Sequence, residues 1–157
     1  MPREPSADAG LEALYQETIL EHNRRPRNFR EIEHATGNAE GRNPLCGDHL
    51  HVWVRVDGDR VAEATFKGQG CAISKASASL MTAAVSGKTR AEAAELFDRF
   101  HAMVTGKAAA DASLGPLRAL GGVSKFPIRV KCATLAWHAM KAALDESRAA
   151  PVTTEQE

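Results

Sequence analysis

Polar and hydrophobic residues alternate strictly from His51 to Asp57, which places Val52, Val54 and Val56 on one face. This period of two predicts a β-strand with one buried face. The Asp57-Gly58 pair that follows is a strong signal for a hairpin turn. We expect the returning strand to bury Ala62, Ala64 and Phe66 on the same face. The pattern therefore predicts an antiparallel pair of strands that is half covered by helices.

Four other stretches repeat apolar residues every three or four positions, which is the spacing of a helix with one buried face. They begin near Leu11, Ile73, Ala93 and Leu135. Pro26 ends the first helix, and the Thr89 to Glu92 segment forms a capping box before the third. Residues 27–50 are predicted as a loop with one short strand, and Val123 to Lys131 as extended chain.

The order of these elements predicts the fold class. Strands come first and most helices afterwards, which indicates an α+β fold rather than alternating βαβ units. We predict a small antiparallel sheet of about three strands, covered by helices and followed by a long C-terminal helix. Residues 11–147 form one domain between flexible tails at 1–10 and 148–157.

Charge and hydropathy exclude several classes of partner. Twenty basic residues balance twenty acidic ones, whereas nucleic acids and anionic membranes select for basic excess. No apolar run approaches the ~20 residues of a membrane span. The N-terminal residues lack the apolar core of a signal peptide, so we expect a cytoplasmic protein.

The three cysteines, Cys46, Cys71 and Cys132, all fall at predicted element boundaries. Cys46 belongs to the loop sequence Asn-Pro-Leu-Cys-Gly-Asp that ends at Asp48, and the other two are predicted to open helices. Helix N-termini favour a negative charge and so lower the pKa of a thiol. In the cytoplasm, an odd number of widely spaced cysteines indicates metal binding or catalysis more than disulfides.

Three thiolates and the Asp48 carboxylate make a sensible zinc site, and equally a site for an iron–sulfur cluster. The alternative is three packed thiols beside an aspartate that only stabilises its turn. If a metal is bound, Cys46 is the candidate reactive sulfur, because a loop ligand leaves the metal at little cost to the fold. Cys71 and Cys132 are then the structural ligands.

Arg129 is a candidate catalytic residue, because it precedes Cys132 by three positions on a segment predicted as extended. Two interpretations remain open. Its guanidinium group could pair with Asp48 or steady a persulfide anion, or it could be a solvated strand arginine.

Four sequence segments together resemble the U-type iron–sulfur scaffold family in unbroken order over about residues 11–146. The segments are Leu14–Glu17 with Pro26–Asn28, Asn43–Asp48, Gly68–Ser74 and Val130–Leu135. Within the family the chain looks most like the SufU branch of zinc-dependent sulfurtransferases. An insert-like segment at about 105–122 supports this branch. So does Lys131, which stands where Isc-type scaffolds carry a histidine ligand.

The resemblance implies a function in the SUF system of iron–sulfur cluster assembly. It implies a Zn²⁺ ion held by Cys46, Asp48, Cys71 and Cys132, with Cys46 as the sulfur acceptor. It implies a PLP-dependent, SufS-like cysteine desulfurase as the persulfide donor, with downstream SUF cluster-assembly proteins as recipients. The runner-up is a scaffold that builds a [2Fe–2S] cluster on the same ligands. A third possibility is a structural zinc module for protein binding.

Overall fold

A computed structural model describes residues 17–145 and 152–153 of the chain. Its elements confirm the predicted α+β class. The helical residues 17–24 (α1) precede the sheet. The remaining elements in chain order are β1 (Gly37–Asn43), β2 (Asp48–Asp57), β3 (Arg60–Gln69), α2 (Ala72–Val85), α3 (Arg90–Val104), a 3₁₀ segment (Ala112–Lys125), α4 (Pro127–Leu144) and β4 (Val152–Thr153). The predicted flexible tails lie outside the described residues, apart from β4.

The strands form one sheet in the order β3-β2-β1-β4. The first three pair antiparallel, as predicted. The short β4 adds a parallel edge, in which Gly41 is opposite Val152 and Arg42 is opposite Thr153. The loop predicted at 27–50 thus contains one complete strand, β1.

A β-bulge corrects the predicted pattern of β3. The register shifts at Arg55 and Val56, so that Val56 is opposite Val61 and Arg55 is opposite Glu63. An extra residue in one strand reverses the alternation beyond it. Val61 is therefore fully buried, whereas Ala62, which was expected on the buried face, is only partly buried.

Helix α4 lies along β1 at close range, and two glycines make this approach possible. A Cβ atom on Gly37 would overlap the carbonyl oxygen of Ala143, and one on Gly41 would lie 3.0 Å from Leu135 Cδ1. The start of β1 thus lies against the end of α4, and later residues of β1 lie against earlier residues of α4. This antiparallel arrangement brings Cys132, near the start of α4, to the far end of β1 at Asn43.

The segment from Val123 to Lys131 was predicted as extended, and this prediction is wrong. The structure continues the 3₁₀ segment to Lys125 and then begins α4 at Pro127. Proline suits the first position of a helix, because its φ angle is already helical and its missing N–H has no helical partner there. Cys132 consequently lies in the second turn of α4 rather than opening the helix.

The other helix boundaries agree well with the sequence. Cys71 is the N-cap of α2, as expected. Thr89 and Glu92 form the predicted capping box of α3, with Thr89 Oγ1 accepting a hydrogen bond from the Glu92 amide at 3.1 Å. Within the described residues, no helix is both long enough and apolar enough to cross a membrane.

Candidate metal centre

Cys46 lies in the tight loop that joins β1 to β2. Asn43 and Asp48 are paired where the two strands meet the loop, and the Cys46 amide donates a hydrogen bond to the Asn43 carbonyl oxygen at 3.2 Å. Gly47 has a φ angle of 71°, in the left-handed region that glycine adopts without a steric penalty. The loop brings the Cys46 Sγ atom within 4.8 Å of an Asp48 carboxylate oxygen.

The Asp48 carboxylate is buried, with only 2% of the residue exposed. Its Oδ1 atom accepts a hydrogen bond from the Cys71 amide at 2.9 Å, and its Oδ2 atom accepts one from Asn43 Nδ2 at 3.4 Å. A Cβ atom on Gly70 would lie 2.9 Å from Asp48 Oδ1. The glycine before Cys71 therefore leaves room for the carboxylate, and the two donors offset the cost of burying it.

Cys71 caps helix α2 with its side chain. Its Sγ atom accepts a hydrogen bond from the Ser74 amide at 3.5 Å. A hydrogen bond from the Cys132 thiol lowers the pKa of Cys71 to about 6, and the Ser74 amide acts in the same direction against the effect of burial. The lowered pKa favours the thiolate form of Cys71, in line with its predicted place at a helix N-terminus.

Cys132 is fully buried in the second turn of α4. Its Sγ atom lies 3.4 Å from Cys46 Sγ and 3.6 Å from Asn43 Nδ2. The hydrogen bond to the Cys71 thiolate raises the pKa of the Cys132 thiol, and burial raises it further. Both effects favour the neutral Cys132 thiol over its thiolate.

The structure brings together three of the four residues that the sequence singled out as ligands. One ligand atom each from Cys46, Asp48 and Cys132 lies within 4.8 Å of the others, the only such group of three or more among residues 17–145 and 152–153. Cys71 lies outside this group, but its thiolate contacts Cys132 and its amide holds Asp48.

This donor set fits a zinc ion. Zn–S bonds of about 2.3 Å and tetrahedral angles place two sulfur ligands nearly 4 Å apart. The 3.4 Å between Cys46 and Cys132 is close to that spacing, and small side-chain rotations supply the rest. The buried carboxylate of Asp48 adds a hard ligand, so thiolate and oxygen donors meet at one point.

Arg129 lies in the first turn of α4, not on an extended strand as expected. It is exposed, yet the negative charge of Cys71 raises the pKa of its guanidinium group, with a further contribution from Cys132. The guanidinium group is thus exposed to solvent and within electrostatic range of the two cysteine sulfur atoms.

Asn43 is a site residue that the sequence analysis missed. It is fully buried, and its Nδ2 group lies within hydrogen-bonding distance of both Asp48 and Cys132. The available signal was its position at the start of the Cys-Gly-Asp loop, directly before Pro44. Without the tertiary structure, that position was equally consistent with a turn residue.

A family model for the NifU-like N-terminal domain matches residues 14–153. The chain belongs to this family, the U-type proteins of iron–sulfur cluster assembly. Sequence similarity to two individual members covers most of this chain and most of each relative. The zinc-dependent sulfurtransferase SufU of Bacillus subtilis (strain 168) is 43% identical over 137 residues, which cover 87% of this chain and 92% of that protein.

Other U-type relatives carry a different functional name. The iron–sulfur cluster assembly scaffold protein IscU of Streptococcus pyogenes serotype M1 is 41% identical over 147 residues, covering 93% of this chain and 92% of that protein. Among solved structures, a proposed iron–sulfur cluster assembly scaffold protein for the SUF system from Fervidobacterium islandicum AW-1 has a TM-score of 0.78 and 35% identity. That match covers 85% of this chain and 98% of the other. Membership in the U-type family is thus established, and the choice between the two named functions depends on the chemistry of the site.

Proposed function

We propose that this U-type protein is a zinc-dependent sulfurtransferase that accepts persulfide sulfur for iron–sulfur cluster biogenesis in the cytoplasm. The observation that carries the proposal is the placement of Cys46. It is a partly exposed free thiol on a loop, and its sulfur atom adjoins the buried Cys132. The similarity to the B. subtilis sulfurtransferase supports the same assignment.

We assign the zinc ligands as Cys46, Asp48, Cys71 and Cys132. When bound, zinc would keep the cysteine sulfurs deprotonated and would join segments of the chain that are far apart in sequence. The protein supplies the rest of the site. Asn43 and the Cys71 amide orient the Asp48 carboxylate, and helices α2 and α4 hold two of the sulfur atoms.

The transfer step is a thiol–persulfide exchange at Cys46. The Cys46 thiolate attacks the outer sulfur of a persulfide on the partner's cysteine, and a new S–S bond forms on Cys46. The partner's own S–S bond breaks, and its cysteine leaves as a thiolate. No net oxidation occurs. The outer sulfur of the Cys46 persulfide then passes to a thiolate of the downstream SUF cluster-assembly proteins by the same exchange, in which the S–S bond on Cys46 breaks and Cys46 leaves as a thiolate.

We propose that Arg129 provides positive charge for the persulfide anion. The supporting observation is its electrostatic interaction with Cys71 and Cys132, which indicates a permanent cation close to the sulfur atoms. Arg129→Gln is expected to slow transfer while zinc content stays unchanged. Arg129→Lys keeps the charge and is expected to restore part of the rate. Equal transfer rates in all three proteins would contradict this role.

The proposed partner is a PLP-dependent cysteine desulfurase. Three large apolar side chains that lie close to Cys46 or Cys132 in sequence are exposed, and we propose that they form the surface that this partner covers. Leu45 is 65% exposed, Phe126 61% and Ile128 59%.

Phe126→Ser is expected to raise the KM of the desulfurase for this protein with little change in kcat. Leu20→Ser, at an exposed position on α1, is the matched control and should leave KM unchanged.

The central experiment follows labelled sulfur from the desulfurase onto this protein. Mass spectrometry is expected to find the additional sulfur on Cys46. Cys46→Ala is expected to abolish acceptance while the protein remains folded. Label on Cys71 or Cys132 of the native protein, or full acceptance by Cys46→Ala, would overturn the assignment.

A second candidate function is a scaffold that assembles a [2Fe–2S] cluster on the same residues. The 41% identity to the S. pyogenes scaffold protein favours it. Three thiolates and one carboxylate can also ligate such a cluster. Anaerobic incubation with iron, cysteine and desulfurase distinguishes the two functions. A sulfurtransferase retains zinc and carries persulfide, whereas a scaffold exchanges zinc for iron and develops the visible absorption of a cluster.

A further inference from the structure

The solvent-facing side of the sheet carries a second group of metal-ligating side chains. Strand β2 alternates, so that Asp48 and Leu50 point into the protein while His49 and His51 lie on the opposite face. Glu40 on β1 is directly opposite His51 in the register. We refer to Glu40, His49 and His51 as the Glu40 cluster.

The carboxylate of Glu40 lies between the two imidazoles. Its Oε2 atom is 3.5 Å from His49 Nε2, and its Oε1 atom is 3.8 Å from His51 Nδ1. Two histidines separated by one residue on a strand point to the same side, which is a geometry suited to chelation. The ligand atoms of the cluster are not all within 4.8 Å of one another, but the side chains are one-third to one-half exposed and can rotate to bring the three donors onto one ion.

His51 is held with its free nitrogen facing Glu40. Its Nε2 atom is 2.9 Å from Asn38 Oδ1, which can only accept a hydrogen bond. When Nε2 donates this hydrogen bond, the lone pair of the ring is on Nδ1, the nitrogen that faces Glu40. The ring also stacks on Trp53, with centroids 4.1 Å apart and planes 1° from parallel. Metal-binding histidines typically have such a carbonyl partner on the other ring nitrogen.

We propose that the Glu40 cluster is a second metal site, separate from the cysteine centre, for an exchangeable divalent first-row transition ion. Two imidazoles and one carboxylate are a donor set suited to Zn²⁺, Fe²⁺ or Ni²⁺. The remaining coordination positions face solvent, so the ion exchanges readily. Arg42 Nη2 lies 3.8 Å from Glu40 Oε2 and competes with the ion for that oxygen.

The experiment uses zinc-loaded protein, freed of loosely held metal and titrated with Ni²⁺ by equilibrium dialysis. We expect one Ni²⁺ per chain while the zinc of the cysteine centre is retained. Trp53 fluorescence should fall on binding because the indole lies against His51, whereas the second tryptophan, Trp137, is fully buried.

Variants separate this site from other surface histidines. His49→Gln and His51→Gln are each expected to weaken Ni²⁺ binding about tenfold or more, and Asn38→Ala to weaken it about tenfold. Arg42→Gln should tighten it, and His34→Gln is the matched control. Absence of a bound Ni²⁺ beyond the zinc, or unchanged binding in both cluster-histidine variants, would overturn the proposal. Sulfur transfer by Cys46 tests the proposed function separately, because none of these substitutions removes a cysteine.

Discussion

At the residue scale, the position of the Asp48 carboxylate depends on donors from two separate segments. The Asn43 side chain holds one oxygen from the end of β1, and the Cys71 amide holds the other from the start of α2. Asn43 also reaches the Cys132 sulfur. One buried amide thus links two of the proposed zinc ligands without being a ligand itself, which is a positioning role.

Asn43→Ala tests this role. The substitution removes a donor from a buried carboxylate, so we expect a loss of about 1–3 kcal/mol in the free energy of unfolding. Zinc affinity is expected to fall about tenfold or more, as for other groups that orient metal ligands. Urea denaturation and competition with a chromogenic zinc chelator measure the two effects.

The control is Asn38→Ala, because Asn38 is exposed on the same strand. It is expected to leave zinc affinity at the cysteine centre unchanged. It should change the free energy of unfolding by no more than about 0.5 kcal/mol. If Asn43→Ala destabilises the protein but leaves zinc affinity intact, Asn43 is a packing residue only.

At the element scale, the contact between β1 and α4 determines where Cys132 lies. Gly37 and Gly41 face the helix, and neither position has free space for a methyl group. The backbone of α4 approaches most closely at Gly37, whereas the neighbour at Gly41 is the flexible end of Leu135. The two glycines should therefore differ in their tolerance of substitution.

Gly37→Ala is expected to destabilise the protein by about 3 kcal/mol, because the new methyl group overlaps backbone at Ala143. Gly41→Ala should cost about 1 kcal/mol, since Leu135 can rotate away. Thermal unfolding measures both, with Gly122→Ala as the control because nothing lies within 4 Å of its added atom. Equal effects at Gly37 and Gly122 would refute the close approach of α4.

At the scale of the whole molecule, the proposed zinc ligands come from three separate parts of the chain. Cys46 and Asp48 belong to the β1–β2 loop and the start of β2, Cys71 caps α2, and Cys132 lies in α4. A metal that binds only when these parts are assembled adds its binding free energy to folding. We therefore expect zinc to raise the stability of the entire domain.

Removal of zinc with a chelator is expected to lower Tm. Zinc at 100 times its dissociation constant adds about 2.7 kcal/mol, which corresponds to roughly 5–10 °C for a domain of this size. Cys132→Ser should abolish this difference between zinc-loaded and chelator-treated protein. Scanning calorimetry with and without zinc measures it, and an identical Tm in both conditions would exclude a structural contribution of the metal.

The cysteine centre shows how far sequence reasoning reaches. Cys46, Asp48 and Cys71 were predictable, because a Cys-Gly-Asp loop and a cysteine at a helix N-cap are local patterns with direct chemical meaning. Cys132 was expected to join them because it too falls at a predicted element boundary, and the family resemblance implied the same ligand set. Its place in the second turn of α4 was missed, because Ile128 and Val130 produce a strand-like alternation that the helix-starting Pro127 overrides.

The sequence by itself determined the elements whose signals are local: the β2–β3 hairpin, the capping box of α3 and the amphipathic helices. Only the tertiary structure decided the bulge at Val56, the contacts of Asn43 with Asp48 and Cys132, and the helical position of Arg129. The physical reason is the range of the interactions. A turn or a cap involves residues a few positions apart, whereas the metal centre depends on contacts such as that between Asn43 and Cys132, which are 89 positions apart. Such contacts are set by the packing of α4 on β1, which no local pattern specifies.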